Sequence, residues 1–214
     1  MPPTTHQPQP DYDARTHSTD DIRDIYADLA DKYARYAFID RHTTGRYRKR
    51  HFRNATGRVL DVACGTGTNF PYLTAATDLV GIDLSPEMLA VAENRDRDAD
   101  LYEMDAQDLE FPDNSFDTVI SALSTCTFPD PVAALNEMAR VCRPDGRILL
   151  LEHGESDASL IARYQHWRRD AHYATQGCRL TQEPMDHVKA ADLTAGTVDT
   201  AFFGIITTIE ATPN

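Results

Sequence analysis

Five short apolar runs, each closed by turn-forming or charged residues, constrain this chain more than any other feature. They are RVLDVAC (58–64), DLVGIDL (78–84), ADLYEMDA (99–106), FDTVISAL (116–123) and GRILLLEHG (146–154). Each has the length and composition of a β-strand. Between them the pattern turns helical, at 68–75, 86–97 and 131–141. Strands that alternate with helices are joined by crossovers, so the chain is expected to form an α/β domain whose mainly parallel sheet is covered on both faces. The turn Arg143-Pro144-Asp145-Gly146 feeds the fifth run. Two further helices are expected at 157–175 and near 182–192. Two last strands, 197–203 and 204–212, are separable at Gly204 as a hairpin, which would leave an antiparallel strand at the sheet edge.

Upstream, Ile22, Ile25, Tyr26, Leu29, Tyr33 and Tyr36 recur at steps of three and four, which marks one face of a helix capped by Thr19 or Asp20. A second helical stretch is expected over 40–54. Residues 1–19 read as a disordered leader, and 20–214 as a single domain in which 20–54 form an N-terminal helical cap. No basic segment followed by an apolar one marks a secretory signal, and no apolar run reaches the length of a membrane span. A cytoplasmic location follows by default.

The sharpest local feature is DVACGTGTN, 61–69, where the first strand gives way to a helical segment. Gly65 and Gly67 permit a sharp bend and let backbone approach a ligand with no β-carbon in between. In an open α/β sheet that crevice, at the carboxyl ends of the strands, is where ligands bind. A glycine bend alone does not name the ligand. Asp83 ends the second strand, where a carboxylate accepts from ribose hydroxyls. Asp105 ends the third, followed by Ala106 and Gln107, and is placed to accept from an adenine amine. A lone strand-end Asp is an ordinary turn former; successive strands delivering such groups to one rim are not.

The series DVACGTGTN, GIDLSPEML, MDAQDLEFPDNSFDTVIS and NEMARVCRPDGRILLLE resembles the class I S-adenosylmethionine (SAM)-dependent methyltransferases over roughly 55–152. The resemblance implies a Rossmann-like seven-stranded sheet in order 3-2-1-4-5-7-6, strand 7 antiparallel, with helices on both faces. It implies SAM as cofactor, with Asp61, Ala63, Cys64, Gly65, Gly67 and Asn69 around its methionine part. Asp83 would hold the ribose, Leu84 and Met88 flank the adenine, Asp105, Ala106 and Gln107 read its edge, and Ser121 face the methionine moiety. Ser85-Pro86 also has a local reading, as helix cap and first helical residue. A nicotinamide oxidoreductase on a similar sheet needs a small residue where this chain has Phe70, and no GK[ST] follows the glycines to make a P-loop.

Within that superfamily the chain resembles the branch of methyltransferase-like 7 proteins, phospholipid N-methyltransferases and ubiquinone/menaquinone C-methyltransferases. This implies methyl transfer to a small apolar or amphiphilic acceptor: a lipid headgroup, a quinone or a thiol. A non-catalytic protein that binds SAM or a partner on the same fold is the other reading. The turn at 144–146 is Pro-Asp-Gly where these relatives have Pro-Gly-Gly. STCTFPDP (124–131) replaces a segment that often carries a histidine, so no acceptor-site histidine is carried over there. His153 is then the candidate base, or a residue that caps the turn beside Glu152. His166 and Trp167, with His172, lie on the polar helix that in this fold often covers the acceptor, or on its exposed side. Tyr33 and Tyr36 close the pocket from the N-terminal helix, or form its buried stripe.

Charge decides the remaining partners. Acidic residues outnumber basic ones 34 to 21, a net charge of −13, with 25 Asp and only 3 Lys. Nucleic acid is excluded as a partner by that balance. An Asp-rich, Lys-poor surface suits a halophilic protein, whose self-repulsion salt screens, or an ordinary acidic enzyme. Arg46, Arg48, Lys49, Arg50 and Arg53 form a basic run that meets an anionic membrane surface or is a solvated face paired with Asp. Cys64, Cys126, Cys142 and Cys178 contain no CxxC pair, so free thiols are expected, without a disulfide framework or a metal. An oligomeric state is not written in these residues.

Overall fold

The computed structural model describes residues 16–95 and 97–214. Residues 1–15, most of the expected leader, lie outside the described residues. Seven strands form one sheet in the order β3-β2-β1-β4-β5-β7-β6. They are β1 (Gly57–Val62), β2 (Ala76–Asp83), β3 (Asp100–Glu103), β4 (Phe116–Ala122), β5 (Cys142–His153), β6 (Leu193–Ala201) and β7 (Ile206–Pro213). The first five pair in parallel, while β7 runs antiparallel to both β5 and β6. The order and the reversed strand are those implied by the resemblance. Phe202 and Phe203 at positive φ, then Gly204, turn the chain between β6 and β7.

Alternation along the strands sends apolar residues to both faces. Leu60, Val62, Val119, Ile148 and Leu150 pack with Leu135 and Met138 of α4 (Pro131–Val141). Val59, Ile120, Leu149 and Leu151 point the other way, to Phe52, Phe70 and Leu89. The helices of that second side include α1 (Thr19–Thr43), α2 (Gly45–Phe52) and α3 (Pro86–Ala92). The central runs of β1, β4 and β5 are mostly apolar because neither face meets water, whereas the edge strands β3 and β6 are largely exposed. Helices α5 (Ser159–Gln176) and α6 (Pro184–Ala190) complete the fold.

Some expected elements differ. Helix 68–75 is replaced by a single 3-10 turn, Phe70–Tyr72. Bonds spanning three residues, Phe70 N to Gly67 O and Leu73 N to Phe70 O, carry the chain directly into β2. The second helix is two: α1 runs on to Thr43, and α2 begins at Gly45. The cap of α1 is Ser18, one residue before the expected position, because Ser18 and Asp21 form a reciprocal capping box. His17 is anchored too, its N–H donating to the Tyr173 hydroxyl at 3.0 Å. Among the described residues no helix is long and apolar enough to cross a membrane.

Candidate functional site

The strand order reverses direction between β1 and β4, the position at which open α/β sheets leave a crevice. A cavity of about 440 Å³ opens there. Its floor is the bend after β1. Gly65 has φ +55°, and a Cβ built on it would meet nothing within 4 Å, so bare backbone faces open space. Gly67 has φ +71°, and a Cβ there would stand 2.8 Å from the Phe70 ring. Phe70 therefore fills the place that a nicotinamide site keeps small. Ala63 and Leu123, at the ends of β1 and β4, also hold positive φ, backbone strain concentrated at the cavity rim.

The two strand-end acids share that rim. Asp83 accepts from Gly65 N at 2.8 Å and from Ser85 N at 3.0 Å, so the carboxylate ties the glycine bend to the start of α3. Burial pushes its pKa up to about 6, opposed by those backbone bonds. Asp105 accepts from Gln107 N at 2.9 Å and from the Thr19 hydroxyl at 3.1 Å. The first turn of α1 is thus pinned to the end of β3, while Arg23 reaches the Leu84 carbonyl at 3.4 Å. The Leu84 backbone also donates to Asp83, and both acids line the cavity.

Of the residues expected to hold a cofactor, Ala63, Cys64, Gly65, Asn69, Asp83, Leu84, Met88, Asp105 and Ala106 line the cavity. Asp61, Gly67, Gln107 and Ser121 stand behind it. Asp61 is fully buried, takes both of its bonds from Asn69 Nδ2 at 2.9 and 3.1 Å, and has its pKa pushed up to about 7 by burial. Gln107 is spent on Asp105, and Ser121 donates to the Val62 carbonyl at 2.9 Å and pairs with Ser124. These four shape the wall.

Over the other half lies α1. Tyr33 and Tyr36 line the cavity as expected from the pocket reading, joined by Ile22, Tyr26 and Ile39. Leu123, Ser124, Thr127 and Phe128, from the loop after β4, face them. This side is mostly apolar. Desolvation raises the pKa of Tyr26 well above the usual phenol value and raises that of Tyr33, so both remain neutral hydroxyls.

Three expectations are corrected. His153 does not line the cavity, because the end of β5 aims its Nε2 at Cys178 Sγ, 3.2 Å away. His166 and Trp167 lie on the outer side of α5: His166 pairs with Glu155 at 3.1 Å, and Trp167 is 74% exposed. The inner face of that helix is held by Gln165, which donates to the Gly154 carbonyl at 2.9 Å. Third, the basic run does not form one face. Arg48 is buried against the cavity, donating to Asn69 Oδ1 and to Thr44 Oγ1 at 3.1 Å and pairing with Asp40 at 3.4 Å.

Sequence reading missed Arg48, Tyr26 and the apolar loop wall as site residues. Tyr26 stood in the periodic stripe of α1, but periodicity does not distinguish a core from a cavity. It also missed that the fold brings Cys126, His153 and Cys178 together.

Comparison with known proteins places this geometry. A family profile described as "Methyltransferase domain" matches residues 60–150. A phosphatidylethanolamine N-methyltransferase from Cereibacter sphaeroides is 37% identical over 118 residues, 52% of this chain and 58% of that protein. A demethylmenaquinone methyltransferase from Renibacterium salmoninarum is 39% identical over 140 residues, 62% of this chain and 59% of that protein. The chain spans about three fifths of the length of these two curated relatives. A SAM-dependent methyltransferase from Thermotoga maritima shares the fold with a TM-score of 0.72 at 18% identity, covering 90% of this chain and 100% of that one.

Proposed function

We propose that the protein, whose residues 60–150 match a methyltransferase domain, transfers the methyl group of SAM to a small apolar or amphiphilic acceptor. The carrying observation is that one cavity has two unlike halves. Gly65, Asp83 and Asp105 make a polar rim suited to an adenosyl group, and Tyr26, Tyr33, Ile39, Leu123 and Phe128 make an apolar chamber beside it.

The residues present fit the cofactor. Open space over Gly65 admits the ligand's chain, the Asp83 carboxylate at the cavity rim accepts from the ribose, and Asp105 with Ala106 borders the adenine. When bound, SAM supplies a methyl on a sulfonium, a group that needs no further activation. What remains for the protein is placement: an acceptor lone pair held in line with the methyl–sulfur bond, away from water. Neutral Tyr26 and Tyr33 hydrogen-bond to each other, and the hydroxyl proton left over orients an acceptor by donation; with pKa values above the ordinary phenol range they do not remove a proton. His153, aimed at Cys178, is not the base in this reading. The chamber therefore suits acceptors that arrive with a lone pair available, such as a neutral amine headgroup, a thiolate or a quinol anion.

Two relatives are named for a phospholipid headgroup and a quinone precursor, which supports the amphiphilic class. Four free cysteines fit a reducing compartment, and we place the protein in the cytoplasm. The test is transfer of labelled methyl from SAM to a panel holding phosphatidylethanolamine micelles, a demethylated naphthoquinol and an alkyl thiol. Labelled product with one of them supports the proposal. SAM binding with no S-adenosylhomocysteine formed on any amphiphile moves the protein to the non-catalytic reading.

A further inference from the structure

Behind the loop that walls the apolar chamber, three side chains from distant parts of the chain converge. Cys126 lies in the turn after β4, His153 is the last residue of β5, and Cys178 follows Gly177, the C-cap of α5. Their ligand atoms, two Sγ and one imidazole nitrogen, all lie within 4.8 Å of one another. Both thiols are at least nine-tenths buried. We propose that Cys126, Cys178 and His153 form a binding site for a thiophilic divalent cation of the zinc class.

The donor set is the first argument. Two thiolates and an imidazole are what zinc selects, and hard cations such as magnesium prefer oxygen. The second is size. Zn–S and Zn–N bonds of about 2.3 and 2.0–2.1 Å at tetrahedral angles put the ligand atoms about 3.6–3.8 Å apart. The His153 Nε2 to Cys178 Sγ edge is 3.2 Å, and no edge of the trio exceeds 4.8 Å, so the triangle has the dimensions of such a site. Side-chain shifts of up to about 1 Å bring all three atoms to those distances. His172 of α5 neighbours Cys178 outside the trio, and water completes the coordination.

Preorganisation is the third argument. The segments that carry the ligands are fastened by bonds that do not use the thiols. Arg179 N donates to the Cys126 carbonyl at 3.0 Å, and the Arg179 guanidinium donates to the Phe128 carbonyl at 2.8 Å. Gln182 Nε2 donates to the His153 carbonyl at 2.9 Å. The ligands are thus held before an ion arrives, as a binding site requires. Ligation takes both sulfurs as thiolates and the imidazole as its neutral form, and whatever protons these three groups carry leave to water; the cation balances the two thiolate charges. Bound there, the ion clamps the loop bearing Ser124, Thr127 and Phe128 to the segment after α5, fixing one wall of the chamber.

The experiment uses the reduced, metal-free full chain and titrates cobalt(II), then zinc. One cobalt per chain is expected, with thiolate charge-transfer absorption and the intense visible bands of a tetrahedral site, all bleached by zinc. Cys126→Ser and Cys178→Ser lose these bands, and Cys142→Ser keeps them. A fold-independent readout uses the wild type alone: zinc should protect Cys126 and Cys178 from alkylation at least tenfold while leaving Cys64 and Cys142 unprotected, as mapped by mass spectrometry. Absence of a tetrahedral cobalt spectrum, equal alkylation of all four thiols with and without zinc, or a Cys126–Cys178 disulfide that forms in preference to the metal complex would overturn the proposal. Its outcome is independent of SAM binding.

Discussion

Replacing Asp83 with Asn separates what this carboxylate does for the fold from what it does for the ligand. The substitution keeps the shape and one accepting oxygen, but turns the other into a donor facing either Gly65 N or Ser85 N, at 2.8 and 3.0 Å in the native bonds. Leaving one buried N–H unpaired costs about 1–3 kcal/mol. Against this, the raised pKa of about 6, from an ordinary 3.8, means that the native protein bears an ionisation cost at pH 8 on the order of 3 kcal/mol. Asn does not ionise. The two effects offset, and the unliganded mutant is expected to melt within a few degrees of wild type. Affinity has no such offset. The ribose hydroxyls lose a charged acceptor, worth about 1.5–3 kcal/mol, or roughly 10- to 150-fold in Kd. Titration calorimetry with SAM and S-adenosylhomocysteine, beside thermal melts of both unliganded proteins, reads the two effects separately. The wild-type affinity should also fall as pH drops through about 6, as Asp83 takes up a proton, and the mutant should lack that dependence. Unchanged affinity in the mutant, with a flat wild-type profile between about pH 5 and 8, would refute the ribose assignment.

Other expectations follow from the same geometry. Gly67→Ala places a Cβ 2.8 Å from the Phe70 ring at φ +71° and should destabilise by about 1–3 kcal/mol in urea melts, while Gly65→Ala, whose Cβ meets open space, should lose less stability but more SAM affinity. Asp61 has a folded pKa raised to about 7 from 3.8, so the folded state binds its proton more tightly than the unfolded chain. Its contribution to stability is full below about pH 4 and is lost as pH rises to about 7, so denaturation of Asp61→Asn relative to wild type should shift in the mutant's favour between about pH 4 and 7 and level off above. Trp167→Ala, on the outward side of α5, should leave steady-state transfer within about twofold of wild type, whereas Tyr26→Phe should raise the acceptor KM.

The polar half of the cavity was legible because its signals are local. Strand ends at Val62 and Asp83, with Gly65 and Gly67 just after the first, report their own geometry: a bend is written in residue types and a strand end in the switch from apolar to polar. The apolar half was not, because it depends on which elements meet. Arg48 reads as one more cation in RYRKRHFR, and only the approach of α2 to Asn69 buries it. His153 sits at a strand end like Asp83, yet the segment after α5 covers it and takes its imidazole nitrogen. The helix expected at 68–75 failed through competition: β2 starts at Ala76, and Phe70 turns inward beneath the glycines, leaving room for one tight turn. Cys126, His153 and Cys178 show no ligand spacing along the chain, and their convergence is a product of two loops and a strand end.

A crystal structure of the full chain soaked with S-adenosylhomocysteine examines the root of the account. The ribose should lie against Asp83 and the adenine between Leu84 and Met88, with its edge toward Asp105 and Ala106. A nucleoside bound elsewhere, or none bound at saturating ligand with the crevice open, would contradict it.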